Sequence, residues 1–89
     1  MLDPVPSNRF KKDVELTRKR GWDLSKLTAV LDSLINEEPL PDRCRDHPLK
    51  GEWQGFRDAH IAPDWLLIYA VQDDELLLAR TGSHADIFG

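Results

Sequence analysis

The side chains that could do chemistry in this 89-residue chain lie mainly in its second half. They comprise all three histidines, two aspartates and one arginine, namely His47, Asp58, His60, Asp64, Arg80 and His84. Several of them adjoin residues 65–71, the longest uninterrupted apolar run of the sequence. Carboxylates and histidines beside a buried segment are costly to place unless they have a role. We therefore predict that these groups form one site.

Two chemistries suit this set. Histidine both accepts and donates protons near neutral pH, since its unperturbed pKa is about 6.5, and an arginine stabilises the charge that develops on a phosphate. RNA cleavage by the neighbouring 2′-hydroxyl needs these groups, because a base removes the hydroxyl proton and an acid protonates the leaving 5′-oxygen. A metal site is the second possibility, since Asp58 and His60 are two residues apart on a strand, but no compact ligand motif is present. We therefore expect neither a cofactor nor a metal.

Three antiparallel strands are predicted to position this set, and they contain half of it, Asp58, His60 and Arg80. Their ranges are approximately residues 52–61, 65–72 and 75–82. A first turn at Ala62-Pro63, where proline breaks the pairing, places His60 opposite Trp65. The same register places Asp58 opposite Leu67, on the same face of the sheet. Polar and apolar residues are thus expected to separate onto two faces.

The second turn, at Asp73-Asp74, sets the third strand against the second. Counting back from this turn puts Leu67 opposite Arg80. Arg80 therefore shares the predicted polar face with Asp58 and His60. An ordinary cross-strand ion pair between Asp58 and Arg80 is the alternative to a catalytic role for these two residues.

The first half of the chain is predicted to supply two helices that cover the other face of the sheet. Ser7 and Asp23 are suitable N-caps, and Gly21 fits the left-handed residue that ends the first helix. Apolar residues recur at helical spacing over about residues 8–20 and 24–35, which gives each helix a buried stripe. The segment before them contains two prolines and can form at most an edge strand.

The predicted fold is a single α+β domain over residues 1–89. Its element order is β-α-α-β-β-β, with two helices on one face of a small antiparallel sheet and a short C-terminal turn or helix. Residues 37–50 lack periodicity and read as a long loop that contains His47. Long loops in small domains tend to carry function.

Composition and charge narrow the class of protein. The chain is 40% hydrophobic and 31% charged, and its net charge of −4 by itself argues against nucleic acid as a partner. Residues 9–20 nevertheless contain six cations and two carboxylates, and so a net +4. The single cysteine, Cys44, excludes an internal disulfide and reads as a loop thiol without a catalytic role. No long apolar run or signal segment is present, so we expect a cytoplasmic protein without a membrane partner.

Seven segments of the sequence resemble the YafQ toxins of the RelE/ParE superfamily of bacterial toxin–antitoxin systems. They are Phe10-Lys-Lys-Asp13, Arg45-Asp-His-Pro-Leu49, Gly51-Glu-Trp53, Gly55-Phe-Arg57, His60-Ile61, Pro63-Asp-Trp-Leu-Leu-Ile-Tyr69 and Arg80-Thr-Gly-Ser-His84. The resemblance covers residues 10–88 and needs no gap within the polar set. It implies a RelE/ParE-like fold and a ribosome-dependent mRNA endoribonuclease. The implied partners are the ribosome, mRNA and a DinJ- or RelB-like antitoxin, with operator DNA reached only through that antitoxin.

The resemblance also implies roles for individual residues. The active-site positions of such toxins fall on His47, Asp58, His60, Asp64, Arg80, His84 and Phe88. His84 is the implied general acid, and the base is one of His47, His60 and Asp64. Arg80 binds the scissile phosphate in this interpretation, and Phe88 stacks on or orients a base. The further substrate-binding candidates are Asp58, Lys11 and Lys12.

Two other functions stay open at this stage. A ParE-like protein has the same fold but inhibits gyrase by binding to it, and such a binder does not need three histidines. A catalytically silent module that acts with its antitoxin as a co-repressor at DNA is the second alternative.

Overall fold

The sheet has five strands, and three helices pack on it. The computed structural model describes all 89 residues. The elements are β1 (Asp3–Pro6), α1 (Asn8–Lys19), α2 (Leu24–Ile35), β2 (His47–Pro48), β3 (Arg57–Ala62), β4 (Trp65–Gln72), β5 (Glu75–Gly82) and α3 (His84–Phe88). The strands are ordered β1-β5-β4-β3-β2. The predicted α+β class, with both long helices on one face and a short C-terminal helix, is confirmed.

The edge strand β1 differs from the prediction in one respect. It pairs with β5 in parallel, whereas all other neighbouring strands are antiparallel. The sheet is therefore mixed rather than antiparallel throughout. Pro4 and Pro6 are tolerated because β1 has a single neighbour, so the missing N–H groups of proline leave no second ladder broken.

The two long helices begin and end where the sequence predicts. Ser7 accepts a hydrogen bond from the Phe10 N–H at 3.0 Å, and Asp23 accepts one from the Ser25 N–H at 3.0 Å. Gly21 has a φ of 79°, a conformation that glycine adopts without strain, and it follows Arg20, the C-cap of the first helix. These caps fix both helix starts and leave the apolar stripes facing the sheet.

The hydrophobic core lies between α1, α2 and one face of the sheet. Its buried residues are Leu2, Phe10, Leu27, Val30, Leu34, Cys44, Ala59, Trp65, Leu67, Tyr69, Leu76 and Leu78. The Trp65 ring lies 5.1 Å from the Trp22 ring, and its indole N–H donates to the Thr81 hydroxyl at 2.9 Å. The prediction that Trp65 and Leu67 lie on the polar face is therefore wrong.

The first hairpin explains this error. Its two-residue turn is Pro63-Asp64, so Ala62 pairs with Trp65, and an irregularity at Ile61 shifts the remaining pairs by one residue. His60 consequently lies opposite Leu66. One extra residue in a strand shifts the pairing by one position, so every residue beyond it lies opposite a different residue of the partner strand, on the other face from the one predicted. The strand itself begins at Arg57 rather than at 52, because Gly51–Trp53 forms a 3-10 turn.

The second hairpin contains a compensating irregularity. Its turn at residues 73–74 is confirmed, but a register shift between Ile68 and Tyr69 puts Arg80 opposite Ile68 instead of Leu67. In the first hairpin Asp58 also lies opposite Ile68. Asp58 and Arg80 are thus in one row across the sheet, and the predicted shared face of the polar set is confirmed although both registers were wrong.

The segment predicted as a long loop contains two short elements. Asp42–Cys44 forms a 3-10 turn, and β2 pairs with β3 so that His47 lies opposite Asp58. Cys44 is buried in the core, and this burial raises the pKa of its thiol. No helix of the chain combines the length and apolar character that crossing a bilayer requires.

Candidate active site

Six of the nine predicted site residues lie together at one end of the sheet. They are His47 on β2, Asp58 and His60 on β3, Asp64 in the following turn, and His84 and Phe88 on α3. A chain of close approaches joins them. The His47 Nε2 atom lies 3.8 Å from an Asp58 carboxylate oxygen, and the His60 and His84 rings are 6.0 Å apart. The Phe88 ring is 6.2 Å from the His84 ring.

His84 is positioned by the start of α3. Ser83 caps this short helix, and its side chain and that of Asp86 exchange hydrogen bonds with each other's backbone N–H groups. Asp64 accepts hydrogen bonds from both the backbone N–H and the ring Nδ1 of His84, each at 3.1 Å. Because a carboxylate only accepts, Nδ1 carries the hydrogen, and the Nε2 atom of this half-exposed ring is left for a ligand.

Asp64 is suited to orienting His84. The hydrogen bonds from the backbone N–H and then the ring of His84 hold the pKa of Asp64 below its usual range. A carboxylate stabilised in this way is a weak proton acceptor near neutral pH.

The most buried part of the cluster contains polar atoms without partners. The Asp58 carboxyl is 6% exposed, and its Oδ1 atom and the Nδ1 atom of His60 make no hydrogen bond. Burial raises the pKa of Asp58, although the three neighbouring histidines oppose that effect. Buried polar atoms are nearly always hydrogen-bonded in folded proteins. Two buried polar atoms without partners, on two residues that share one face of β3, therefore favour a site that receives a polar ligand.

The His47 ring is held by a hydrogen bond at Nδ1, the ring nitrogen that does not face Asp58. Its Nδ1 atom lies 2.6 Å from the backbone carbonyl oxygen of Arg45. The carbonyl can only accept, so Nδ1 donates and the Nε2 atom that faces Asp58 is unprotonated in the neutral ring. Arg45 adopts a left-handed conformation with a φ of 47°, which is costly for a residue other than glycine and turns its carbonyl toward His47.

Arg80 lies on the same face of the sheet, but its guanidinium is held mainly by the carboxylate of Asp13 on α1. Its Nε and Nη2 atoms donate to Asp13 at 2.7 and 3.2 Å, and Nη2 also donates to the Asp86 carbonyl at 3.1 Å. The alternative of an ion pair between Asp58 and Arg80 is therefore not what forms. The Nη1 atom of Arg80 makes no hydrogen bond to the protein, so this part of the guanidinium has no partner within the chain.

Lys11 and Lys12 are not part of this cluster. Both side chains are exposed on α1, where they border a shallow surface depression together with Glu15, Leu16 and Lys19. No hydrogen bond or ion pair connects them to the histidines.

Sequence reasoning missed the residues that hold α3 and Arg80 in place. Asp13 lies on the buried side of α1 between Phe10 and Thr17, and a carboxylate on such a stripe is a signal that could have been recognised. Asp86 forms a bidentate pair with Arg20 at 2.6 and 2.9 Å, which holds its pKa below the ordinary range. Nothing in the local sequence connects two residues so far apart in the chain.

Gly82 allows α3 to lie close to the end of β5. Its φ is 151°, and a Cβ atom at this position would lie 2.9 Å from an Asp86 carboxylate oxygen. Any side chain here would force the Asp86 side chain, which helps to cap α3, to shift.

A metal site is the second chemistry that the sequence allows for these side chains. No group of three or more His, Cys, Asp or Glu residues in the chain is placed to hold a metal ion. The geometry instead supplies three imidazoles, two carboxylates and a nearby guanidinium, which are groups that transfer protons and bind phosphate.

Comparison with known proteins identifies the family. The sequence model of the family described as the bacterial toxin of type II toxin–antitoxin systems, YafQ, matches residues 2–89. The mRNA interferase toxin YafQ of Escherichia coli strain K12 is 50% identical over 84 residues, which cover 93% of this chain and 91% of that protein.

Solved structures agree with this match. YafQ in the crystal structure of the Escherichia coli DinJ-YafQ complex has a TM-score of 0.93 and 48% identity, and the alignment covers all of both chains. A metal-bound toxin from Helicobacter pylori has a TM-score of 0.92 and 41% identity, over 99% of this chain and 100% of that chain.

Proposed function

The chain belongs to the YafQ family of bacterial type II toxins, and we propose on this basis that it is an mRNA endoribonuclease that acts on the ribosome. The name of the Escherichia coli relative, mRNA interferase, supports the activity. The observation that carries the proposal is the cluster of three histidines. In His47 and His84 the Nδ1 atom is hydrogen-bonded to an oxygen that can only accept, so Nδ1 carries the hydrogen. Such a cluster suits metal-free proton transfer to and from an RNA phosphodiester.

His84 is the proposed general acid. Asp64 fixes its ring and tautomer, so that Nε2 of the imidazolium is available to protonate the leaving 5′-oxygen. After the transfer the ring is neutral, and Nδ1 keeps its hydrogen bond to the carboxylate.

His60 is the proposed general base. Its ring lies 6.0 Å from that of His84, a separation that accommodates a phosphate group between an acid and a base. His60 would remove the proton from the 2′-hydroxyl, which then attacks the phosphorus and forms a 2′,3′-cyclic phosphate as the bond to the 5′-oxygen breaks. Of the remaining candidates, Asp64 is a poor acceptor because of its lowered pKa.

His47 and Asp58 are proposed to assist the acid His84 and the base His60. The Asp58 carboxyl is buried among the three histidines, so its negative charge compensates a positive charge on any of them. We propose that His47 completes the site as an alternative proton acceptor and as a hydrogen-bond partner of the substrate.

Arg80 is proposed to bind the scissile phosphate through its free Nη1 atom. Asp13 and the Asp86 carbonyl fix the other two guanidinium nitrogens, which holds the cation in position as charge develops on the phosphate oxygens. Phe88 is 46% exposed next to His84 and is proposed to stack on a base. Lys11 and Lys12, which lie apart from the cluster, are proposed to contact ribosomal RNA.

The proposed regulator is a cognate antitoxin similar to DinJ, which binds YafQ in the Escherichia coli complex. An antitoxin of this kind would keep the toxin inactive in the cytoplasm and would be its only link to operator DNA.

Expression of the chain without an antitoxin is expected to stop growth by blocking translation. We expect incorporation of labelled methionine to fall before that of labelled thymidine, and co-expression of the antitoxin to relieve the arrest. The His84→Ala variant is the control, and it should be far less toxic at equal protein level. An early loss of thymidine incorporation with translation spared would instead support the gyrase-binding alternative.

A further inference from the structure

The distribution of paired and unpaired arginines is uneven in this chain. Five of the seven arginines form ion pairs with Asp or Glu side chains, namely Arg9, Arg18, Arg20, Arg57 and Arg80. The guanidinium groups of the other two, Arg43 and Arg45, make no hydrogen bond or ion pair within the chain. Both are exposed, and both lie in the segment before β2. In a protein of net charge −4, these are the arginines most available to an anionic ligand.

The local fold directs both side chains outward. Cys44, between them, is 3% exposed and packs in the hydrophobic core, which anchors the 3-10 turn Asp42–Cys44. Arg45 follows the turn in the left-handed conformation, and its carbonyl accepts the hydrogen bond from His47. The same strained residue therefore orients a histidine of the cluster through its carbonyl and presents an exposed, unpaired cation.

The two arginines line one cleft with His60. This open cleft has a volume of about 430 Å³, and its remaining walls are Ile61, Ala62 and Pro63. Ile61 is the residue at which the register of β3 shifts, and such irregularities often redirect strands next to functional sites. The cleft reaches the cluster at His60, whose Nδ1 atom is buried without a partner.

We propose that Arg43 and Arg45 form a phosphate-binding subsite, which holds the RNA backbone next to the scissile phosphate. Guanidinium groups bind phosphate oxygens in a bidentate manner, and these two need not break an existing ion pair to do so. This inference rests on the proposed function, because the cleft leads to the histidine that we assign as base. It explains how an acidic protein holds RNA, since the attraction comes from two local cations and not from the net charge.

The subsite can be tested with the variants Arg43→Gln, Arg45→Gln and the double variant. Arg18→Gln is the matched control, because it removes the same charge from an exposed helix position outside the cleft. Single-turnover cleavage on programmed ribosomes, measured against toxin concentration, is expected to show half-maximal rates at about tenfold higher concentration for each single variant. The maximal rate should change little, since the acid and the base are intact.

Salt dependence provides a readout that a purely structural role would not move. Binding of the full-length chain to a fully 2′-O-methylated single-stranded RNA, which cannot be cleaved, would be followed by fluorescence anisotropy over a KCl series. The slope of log K against log[KCl] should become less negative by about 0.7 for each arginine removed, as counterion release from single strands requires. Arg45→Lys should keep the wild-type slope because it keeps the charge.

A double variant with the affinity and slope of Arg18→Gln would overturn the subsite while leaving the proposed cleavage activity intact. Loss of antitoxin binding without any change in RNA binding would also overturn it, and would assign the arginines to the antitoxin. If the wild-type chain failed to cleave, the proposed function would fall, and the RNA-binding slopes alone would decide on the subsite.

Discussion

Replacing His84 with alanine is expected to lower single-turnover cleavage of mRNA on programmed ribosomes by about 10²–10⁴-fold, the usual cost of losing one positioned acid or base. The ring is hydrogen-bonded to Asp64, its Nε2 atom is free, and its nearest aromatic neighbours are His60 and Phe88. The fold should survive the change, because the His84 side chain is 59% exposed and contributes little to the core.

Two controls separate catalysis from binding and positioning. Affinity of the His84→Ala variant for ribosomes should stay close to wild type, since the groups assigned to phosphate binding are unchanged. Asp64→Asn should reduce the rate less than His84→Ala does, because it loosens the ring without removing it. A His84→Ala protein that cleaves at nearly the wild-type rate would refute the assignment and give the acid role to His47 or His60.

The largest effect on stability is expected for Asp13→Ala. The Asp13 and Arg80 side chains are only 8% and 12% exposed, so removing the carboxylate leaves a nearly buried guanidinium without its counter-charge. The backbone N–H of Thr81 also loses its acceptor at 3.1 Å. Breaking a buried pair in this way typically costs about 3–5 kcal/mol, a large part of the stability of a small domain.

Glu15→Ala is the matched control for this prediction. Glu15 is on the same helix and also pairs with an arginine, but both members of that pair are exposed, 61% for Glu15 and 62% for Arg18. Exposed pairs contribute about 0–1 kcal/mol, so the free energy of unfolding should hardly change. The measurement is urea unfolding of both variants at pH 7. A loss below about 1 kcal/mol for Asp13→Ala would contradict a structural role for this ion pair.

Local sequence signals predicted most of the secondary structure. The caps at Ser7 and Asp23, the left-handed Gly21 and the turn at residues 73–74 depend on neighbouring residues only, and all are confirmed. The parallel pairing of β1 was not predicted. It depends on where the chain returns to the sheet after two helices, which no local pattern encodes.

The strand registers failed for a related reason. Each hairpin contains a shift of one residue, near Ile61 and near Ile68, and no residue type at those positions requires it. Such irregularities are decided by packing on both faces of the sheet. The polar face was still predicted correctly, because Asp58 and His60 are two residues apart on one strand and so share a face whatever lies opposite them.

The candidate site was predicted only in part. The histidines and Asp64 could be named from their types and their order, and the structure brings them together. Asp13 could have been recognised as a carboxylate on the buried stripe of α1, but its partner Arg80 could not. The unpaired arginines Arg43 and Arg45 could not be named, because their importance depends on which charges find partners in the folded chain.

Substitution of the 2′-hydroxyl at the cleavage site tests the central claim most directly. The claim is that this hydroxyl is the nucleophile and that the histidine cluster transfers its proton. An mRNA with a single 2′-deoxynucleotide on the 5′ side of the scissile phosphate would be placed on programmed ribosomes and treated with the wild-type chain. The account predicts no cleavage at that bond, and a 2′,3′-cyclic phosphate end on the product from the unmodified mRNA. Cleavage of the deoxy-substituted bond at the rate of the unmodified one would contradict the account.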